Sequence, residues 1–137
     1  MEIKQINFNE LAPLIDQMLN QDILEKLGKT VKPPSKIAFS LQENGEIVGG
    51  ITGTLSMENL HINGLVVDKS FQGQDYGTKL MQKMENAASQ LGAKILTVST
   101  QNFQALEFYQ KMGYEIFGTL EDTPFQGAIK YYLKKKV

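Results

Sequence analysis

The chain of 137 residues contains no cysteine and a single histidine, His61. Without cysteine there is no disulfide, no thiolate zinc site and no cysteine nucleophile. With one histidine, neither a multi-histidine metal site nor a catalytic pair of histidines can be built. Arginine is also missing, so all fourteen basic residues are lysines, balanced by fifteen acids to a net charge of -1. Three lysines, Lys134 to Lys136, sit together near the end of the chain and read as a solvated terminus. Nucleic-acid binding would need a broader basic face with arginines or stacking aromatics. No apolar run approaches the ~20 residues of a membrane span. The N-terminal MEIKQINFNE lacks the pattern of a secretory signal, so a cytoplasmic protein is expected.

Apolar residues make up 42% of the chain and charged residues 21%, as in an ordinary globular domain. The length suits one compact domain covering residues 1–137. Residues 2–7 alternate and read as a short strand. Asn7 and Glu10 resemble a capping box. Leu11, Leu14, Ile15, Met18 and Leu19 then recur at helical spacing, with a second helical segment expected to end at Gly28. Pro33 and Pro34 interrupt helix in the following loop. Asn44-Gly45, between Ile37–Leu41 and Ile47–Leu55, is a strong hairpin signal. Gly49, Gly50 and Gly53 mark a weak strand, a bulge or a close backbone approach. A strand over 59–67, a helix carrying Leu80, Met81, Met84, Ala87, Ala88 and Leu91, and a strand over 94–99 form a βαβ unit with a right-handed crossover. Asn102 is the expected N-cap of a helix carrying Ala105, Leu106, Phe108, Tyr109 and Met112 and closed by Gly113. Strands over 114–120 and 128–134 finish the chain. The sheet is expected to be mixed. Met57, Met81 and Met84 read as core filling.

The segment from Val67 to Leu80 carries the most chemical information. A strand ends, a turn with Gly73 and Gly77 follows, and a long helix begins. Unpaired N–H groups at such a helix start suit a phosphate or pyrophosphate. A Walker A loop does not fit, because Gly73-x-x-x-Gly77-Thr78-Lys79 is one residue short and reverses the final pair. The dinucleotide pattern G-x-G-x-x-G is absent.

This segment resembles motif A of the GNAT acetyltransferases, [QR]-x-x-G-x-[GA], with Gln72 and Gly77 at its ends. Asn102-Phe103-x-Ala105-x-x-Phe108-Tyr109-x-Lys111-x-Gly113-Tyr114 resembles the family's second cofactor-side motif. The order of elements agrees as well. The resemblance implies a mixed α/β acyltransferase fold, with a central sheet of six to seven strands flanked by about four helices. It implies acetyl-CoA as co-substrate, an amine acceptor and no metal. Leu65 and Val67 would hold the pantetheine arm through their backbone. Gln72, Gly73, Gln74, Asp75, Tyr76, Gly77 and Thr78 would hold the pyrophosphate, with Asn102 beside the cofactor. Tyr109 would protonate the CoA sulfur. Dimers are frequent in the family, which leaves a homodimer open.

Asp75 departs from the motif, which has glycine there. An inward carboxylate would repel an anion, although aspartate tolerates unusual backbone angles. Low affinity for CoA is the expectation. His61 is the candidate base, expected on one strand face with Asn63, Leu65 and Val67, against the plainer reading of a polar residue on a half-exposed strand. Glu58 is a weaker candidate. Glu121 and Asp122 would recognise a cationic amine if they are not simple surface acids. Tyr131 and Tyr132 lie on the last strand, and one of them must face away from the core. The leading function is an acetyl-CoA-dependent N-acetyltransferase. The competing one is a non-catalytic sensor or partner-binding module, with CoA binding weakened by Asp75.

Overall fold

The computed structural model describes all residues, Met1–Val137, and divides into two compact units, Met1–Pro33 and Pro34–Val137. The first unit holds helix α1, Phe8–Leu27. Asn7 caps it by accepting a hydrogen bond from the Asn9 N–H at 2.8 Å. Gly28 ends it at φ +66°, donating to the Leu24 carbonyl. Two helical segments were expected here, but one continuous helix forms. No breaker lies between Leu19 and Leu27, and the Gln21–Glu25 and Asp22–Lys26 pairs support its last turns. Residues 2–7 do not form the expected strand. A strand exists through its ladder, and none of the six strands pairs with this segment.

The second unit is a six-stranded mixed sheet in the order β1-β2-β3-β4-β6-β5. The strands are β1 (Ser35–Glu43), β2 (Glu46–Ser56), β3 (Asn59–Val67), β4 (Ile95–Gln101), β5 (Glu115–Glu121) and β6 (Ile129–Lys136). Helix α2 (Tyr76–Gln90) crosses from β3 to β4, and the short helix α3 (Leu106–Lys111) follows β4. The β3/β4 pair is parallel and every other pair is antiparallel, as the βαβ pattern required. Six strands fall within the expected six to seven. The whole chain carries three α-helices against the four expected, plus a 3-10 turn at Lys69–Phe71.

Asn44 (φ 50°) and Gly45 (φ 82°) make the β1–β2 hairpin turn, where two positive φ angles match the twist of the strands. Gly49 and Gly50 serve close approach: a Cβ at Gly49 would lie 2.6 Å from the Val66 carbonyl oxygen. Met81 and Met84 are fully buried with Ile51, Leu60, Leu96 and Leu133. Each such side chain contributes on the order of 2 kcal/mol to folding. Leu91 lies past the last turn of α2 and is exposed, so it leaves the expected stripe. Met57 is also not core. It sits at φ 54° in the β2–β3 turn and is exposed.

Candidate active site

Strands β3 and β4 pair over three residues only, from Asn59–Ile95 to His61–Thr97, and then part. The cause lies on the other edge of β3. There Ile62 pairs with Gly53 and Gly64 with Thr52, which leaves Asn63 as a bulge. A bulge bends its strand and increases its twist. Beyond His61 a cleft of about 340 Å³ opens between the strands. Ile62, Asn63, Gly64 and Leu65 line one wall, and Val98, Ser99, Thr100 and Gln101 the other, with Gln104, Ala105 and Tyr109 beside them.

The bulge also sets which backbone groups face the cleft. Asp68 donates to the Val48 carbonyl at 2.8 Å, so Asp68, Val66 and Gly64 turn their N–H and C=O groups toward β2. Leu65 and Val67 therefore turn theirs toward the gap, where β4 no longer runs alongside. The Val67 carbonyl accepts from Gln72 Nε2 at 2.8 Å, which pins the next loop to the strand end.

That loop borders a second recess of about 250 Å³, lined by Val67, Phe71, Gln72, Gly73, Asp75, Tyr76, Gly77, Thr78 and Phe108. The backbone N–H groups of Gly73, Gln74, Asp75, Tyr76, Gly77 and Thr78 have no hydrogen-bond partner in the chain; the first bond of α2 runs from Lys79 N to Asp75 O. Gly73 (φ 81°) and Asp75 (φ 65°, ψ 16°) both adopt the left-handed conformation. Asp75 stands where the motif has glycine, and it can hold these angles because aspartate visits this region more readily than most residues. Its side chain makes no capping bond to α2.

Tyr109 lines the cleft from α3 and is only 6% exposed. Burial pushes its phenol above the ordinary value, so it stays protonated and can donate. Edge-on contacts with Phe108 at 5.2 Å and Tyr114 at 6.0 Å hold the ring. Tyr114 is clasped in turn: its hydroxyl donates to Glu85 at 3.1 Å, and Glu85 pairs with Lys135 at 2.8 Å.

Asn102 does not cap α3. The helix begins four residues later, and Asn102 instead joins the end of β4 to β6, its N–H donating to the Ile129 carbonyl and its Oδ1 accepting from the Ile129 N–H. Thr100, buried on β4, holds the turn by accepting from the Ala105 N–H at 3.2 Å. This bond spans five residues, outside the local spacings by which caps are recognised in sequence.

His61 and Thr97 form the last pair before the strands part, so they sit at the vertex of the cleft. His61 Nδ1 lies 2.8 Å from Thr97 Oγ1, which also reaches Asn59 Oδ1 at 3.4 Å. Burial first, and then the charge of Lys130, hold the imidazole below its ordinary value. The expected face is corrected. Leu60, Ile62, Leu65 and Val67 all pack toward the core, because the bulge at Asn63 shifts the alternation by one residue. His61 projects from the opposite face to Leu65 and Val67. Asn63 reaches that opposite face, where its Oδ1 accepts from Thr54 Oγ1 at 2.7 Å, and Thr54 pairs with His61. Thr97, Thr54 and Lys130 escaped the sequence reading, since only the register brings them to His61.

Glu58 lies in the β2–β3 turn, where its carbonyl accepts from Lys94 and Ile95. Asp122 is occupied in its own loop, accepting from the Gly127 N–H at 2.9 Å. Tyr131 packs toward the core, and Tyr132, next along β6, faces away.

The sequence profile of the acetyltransferase (GNAT) family matches residues 6–114. The chain belongs to this family. It is 32% identical to the blasticidin-S acetyltransferase of Streptomyces morookaense over 100 residues, covering 72% of this chain and 73% of that one. It is 29% identical to the peptidyl-lysine N-acetyltransferase YjaB of Salmonella typhimurium over 98 residues, 72% of this chain and 63% of that one. The crystal structure of an acetyltransferase from Bacillus cereus superposes with a TM-score of 0.87 at 28% identity, covering 100% of this chain and 98% of the other. The GNAT protein is thus an acetyl-CoA-dependent acetyltransferase, and the non-catalytic reading is not favoured. The chain's own groups suit that co-substrate. Six unpartnered N–H groups suit a pyrophosphate, and the unpaired edge at Leu65 and Val67 suits an amide-bearing arm. The Asp75 carboxylate is the opposing feature. No helix is long and apolar enough to cross a membrane.

Proposed function

We propose that this GNAT enzyme transfers an acetyl group directly from acetyl-CoA to a primary amine of a small molecule or protein. The observation that carries this reading is the continuity of the unpaired edge of β3 with the N–H-lined loop before α2. Acetyl-CoA supplies the acyl group as an activated thioester. Leu65 and Val67 hold the arm through their backbone, Gln72 to Thr78 receive the pyrophosphate, and Asn102 stands beside the cofactor. His61 takes the proton of the attacking amine. If Thr97 donates to Asn59 and accepts from His61 Nδ1–H, Nε2 keeps the lone pair that a base needs. As the amine nitrogen bonds to the acyl carbon and the C–S bond breaks, Tyr109 gives its proton to the departing sulfur. With no cysteine to carry the acetyl group, transfer is direct.

One relative is named for blasticidin-S and another for peptidyl lysine, so their names support an amine acceptor without choosing its size. The test is thiol release from acetyl-CoA across a panel of amines. Tyr109→Phe is expected to lower kcat by about 10²-fold with little change in CoA affinity. An unchanged kcat removes Tyr109 from the acid role, and no release with any amine removes the proposed reaction.

A further inference from the structure

The two faces of the sheet differ in kind. The face toward α2 is the apolar core. On the other, β3 and β4 present His61, Asn63, Thr97, Ser99 and Gln101, and β6 adds Lys130, Tyr132 and Lys134 by its register with β4. The cleft connects the faces, because Val98 and Tyr109 line it from the core side and Ser99 and Gln101 from the polar side. On the proposed reaction, on which this inference rests, the acyl donor is held at the start of α2. The acceptor then approaches from the polar face, where His61 stands.

Lys130 is the charge placed nearest the cleft wall on that approach. It pairs with Gln101 at the cleft wall, but its side chain lies back along β6, with Nζ 5.3 Å from the centre of the Tyr132 ring. This direction leads toward Lys134, whose partner Thr97 is the residue bound to His61. Lys130 makes no ion pair; the salt bridges of the chain are Lys4–Glu2, Lys26–Asp22 and Lys135–Glu85. The other charged groups on this face include Lys134, opposite Glu115 of β5, Lys36, bound to Thr54 at 3.1 Å, and Asp68, which lies past the end of β3 beside Val66 and accepts from the Ser70 N–H. No carboxylate hydrogen-bonds to His61.

We propose that the acceptor carries an anionic group beside its amine, a carboxylate or a phosphate, and that Lys130 receives it over Tyr132. Glu115 lies opposite Lys134, but no carboxylate pairs with Lys130, so a plain ammonium would meet that charge at this mouth. An anion two or three bonds from the amine would neutralise Lys130 and leave the amine at His61. The lowered titration of His61, to which Lys130 contributes after burial, agrees with an ammonium held within electrostatic reach.

Matched amines with acetyl-CoA test the specificity: O-phosphoethanolamine against ethanolamine, and glycine against glycinamide. The anionic member should have the higher kcat/KM by about ten- to a hundredfold. Lys130→Gln should abolish that advantage and Lys130→Glu reverse it, with acetyl-CoA affinity unchanged. A merely structural Lys130 would lower all four rates alike. A second readout needs no turnover. The protein has one histidine, so its imidazole resonances can be titrated by NMR without ambiguity. Inorganic phosphate should raise the His61 pKa in the wild type and leave it unmoved in Lys130→Gln. If phosphate leaves wild-type His61 unmoved, or if the neutral amines are preferred, the anion site is wrong. If phosphate acts but no amine is acetylated, the anion site stands and the proposed reaction fails.

Discussion

Replacing Asp75 with asparagine isolates one charge at the pyrophosphate loop. Asparagine is nearly the same size and tolerates the left-handed backbone angles at this position, φ 65° and ψ 16°. The turn and its free N–H groups should therefore survive. If the carboxylate stands about 6 Å from a phosphate charge at an effective dielectric near 20, the repulsion is roughly 3 kcal/mol per unit charge before screening. A Debye length of about 10 Å at 0.1 M salt cuts this to near half. Each 1.4 kcal/mol is a factor of ten, so D75N should bind CoA about tenfold more tightly at 0.1 M salt and up to about a hundredfold at low salt. Against this runs a modest loss in the free protein, because an acid at a helix N-terminus stabilises it by about 0.3–1 kcal/mol. That term lowers the melting temperature slightly and does not reverse the binding gain. Calorimetry at two salt concentrations, on both proteins, measures the difference. Equal affinities at low salt would show that the carboxylate points away from the ligand. Weaker binding by D75N would show that it supports the loop, and the repulsion argument would fail.

Other predictions follow from the same geometry. Because the folded protein holds His61 below about 6.5, the acid limb of kcat/KM should have its midpoint below that value. His61→Gln should flatten the limb, and Lys130→Gln should move it upward; a limb fixed across all three proteins would exclude His61 as the base. The same depression means that the folded state binds fewer protons than the unfolded one as pH falls. Folding stability should thus be free of a His61 penalty above about pH 6.5 and decline as pH drops through the folded value, a decline that His61→Gln lacks. Gly49→Ala places a Cβ 2.6 Å from the Val66 carbonyl oxygen, so it should cost about 1–3 kcal/mol in urea denaturation. An unchanged midpoint would mean that β2 and β3 can separate there without loss.

Much of the fold was legible because local signals agreed with tertiary ones. Asn44-Gly45 announced the hairpin, and the stripe through Leu80, Met81, Met84 and Ala88 announced the crossover helix. The turn that leads into α2 was legible from Gly73 and from the motif that the segment resembles. What failed depended on pairing. Residues 2–7 alternate like a strand yet find no ladder. The face of His61 was misread because a bulge at Asn63 leaves no trace in periodicity when Asn63 and Gly64 are adjacent and neither is apolar. Asn102 has the chemistry of a helix cap, but β6 claims it from 27 residues away. Lys130 is one lysine among fourteen until the register of β4 with β6 sets it opposite Gln101 at the cleft wall.

Backbone hydrogen exchange with and without CoA tests the central claim most directly. The N–H groups of Leu65, Val67 and Gly73 to Thr78 have no acceptor in the free protein and should exchange rapidly. Saturating CoA should slow exchange at these positions above all others. Protection centred elsewhere, or none at Leu65 and Val67, would contradict the placement of the acyl donor between β3 and β4.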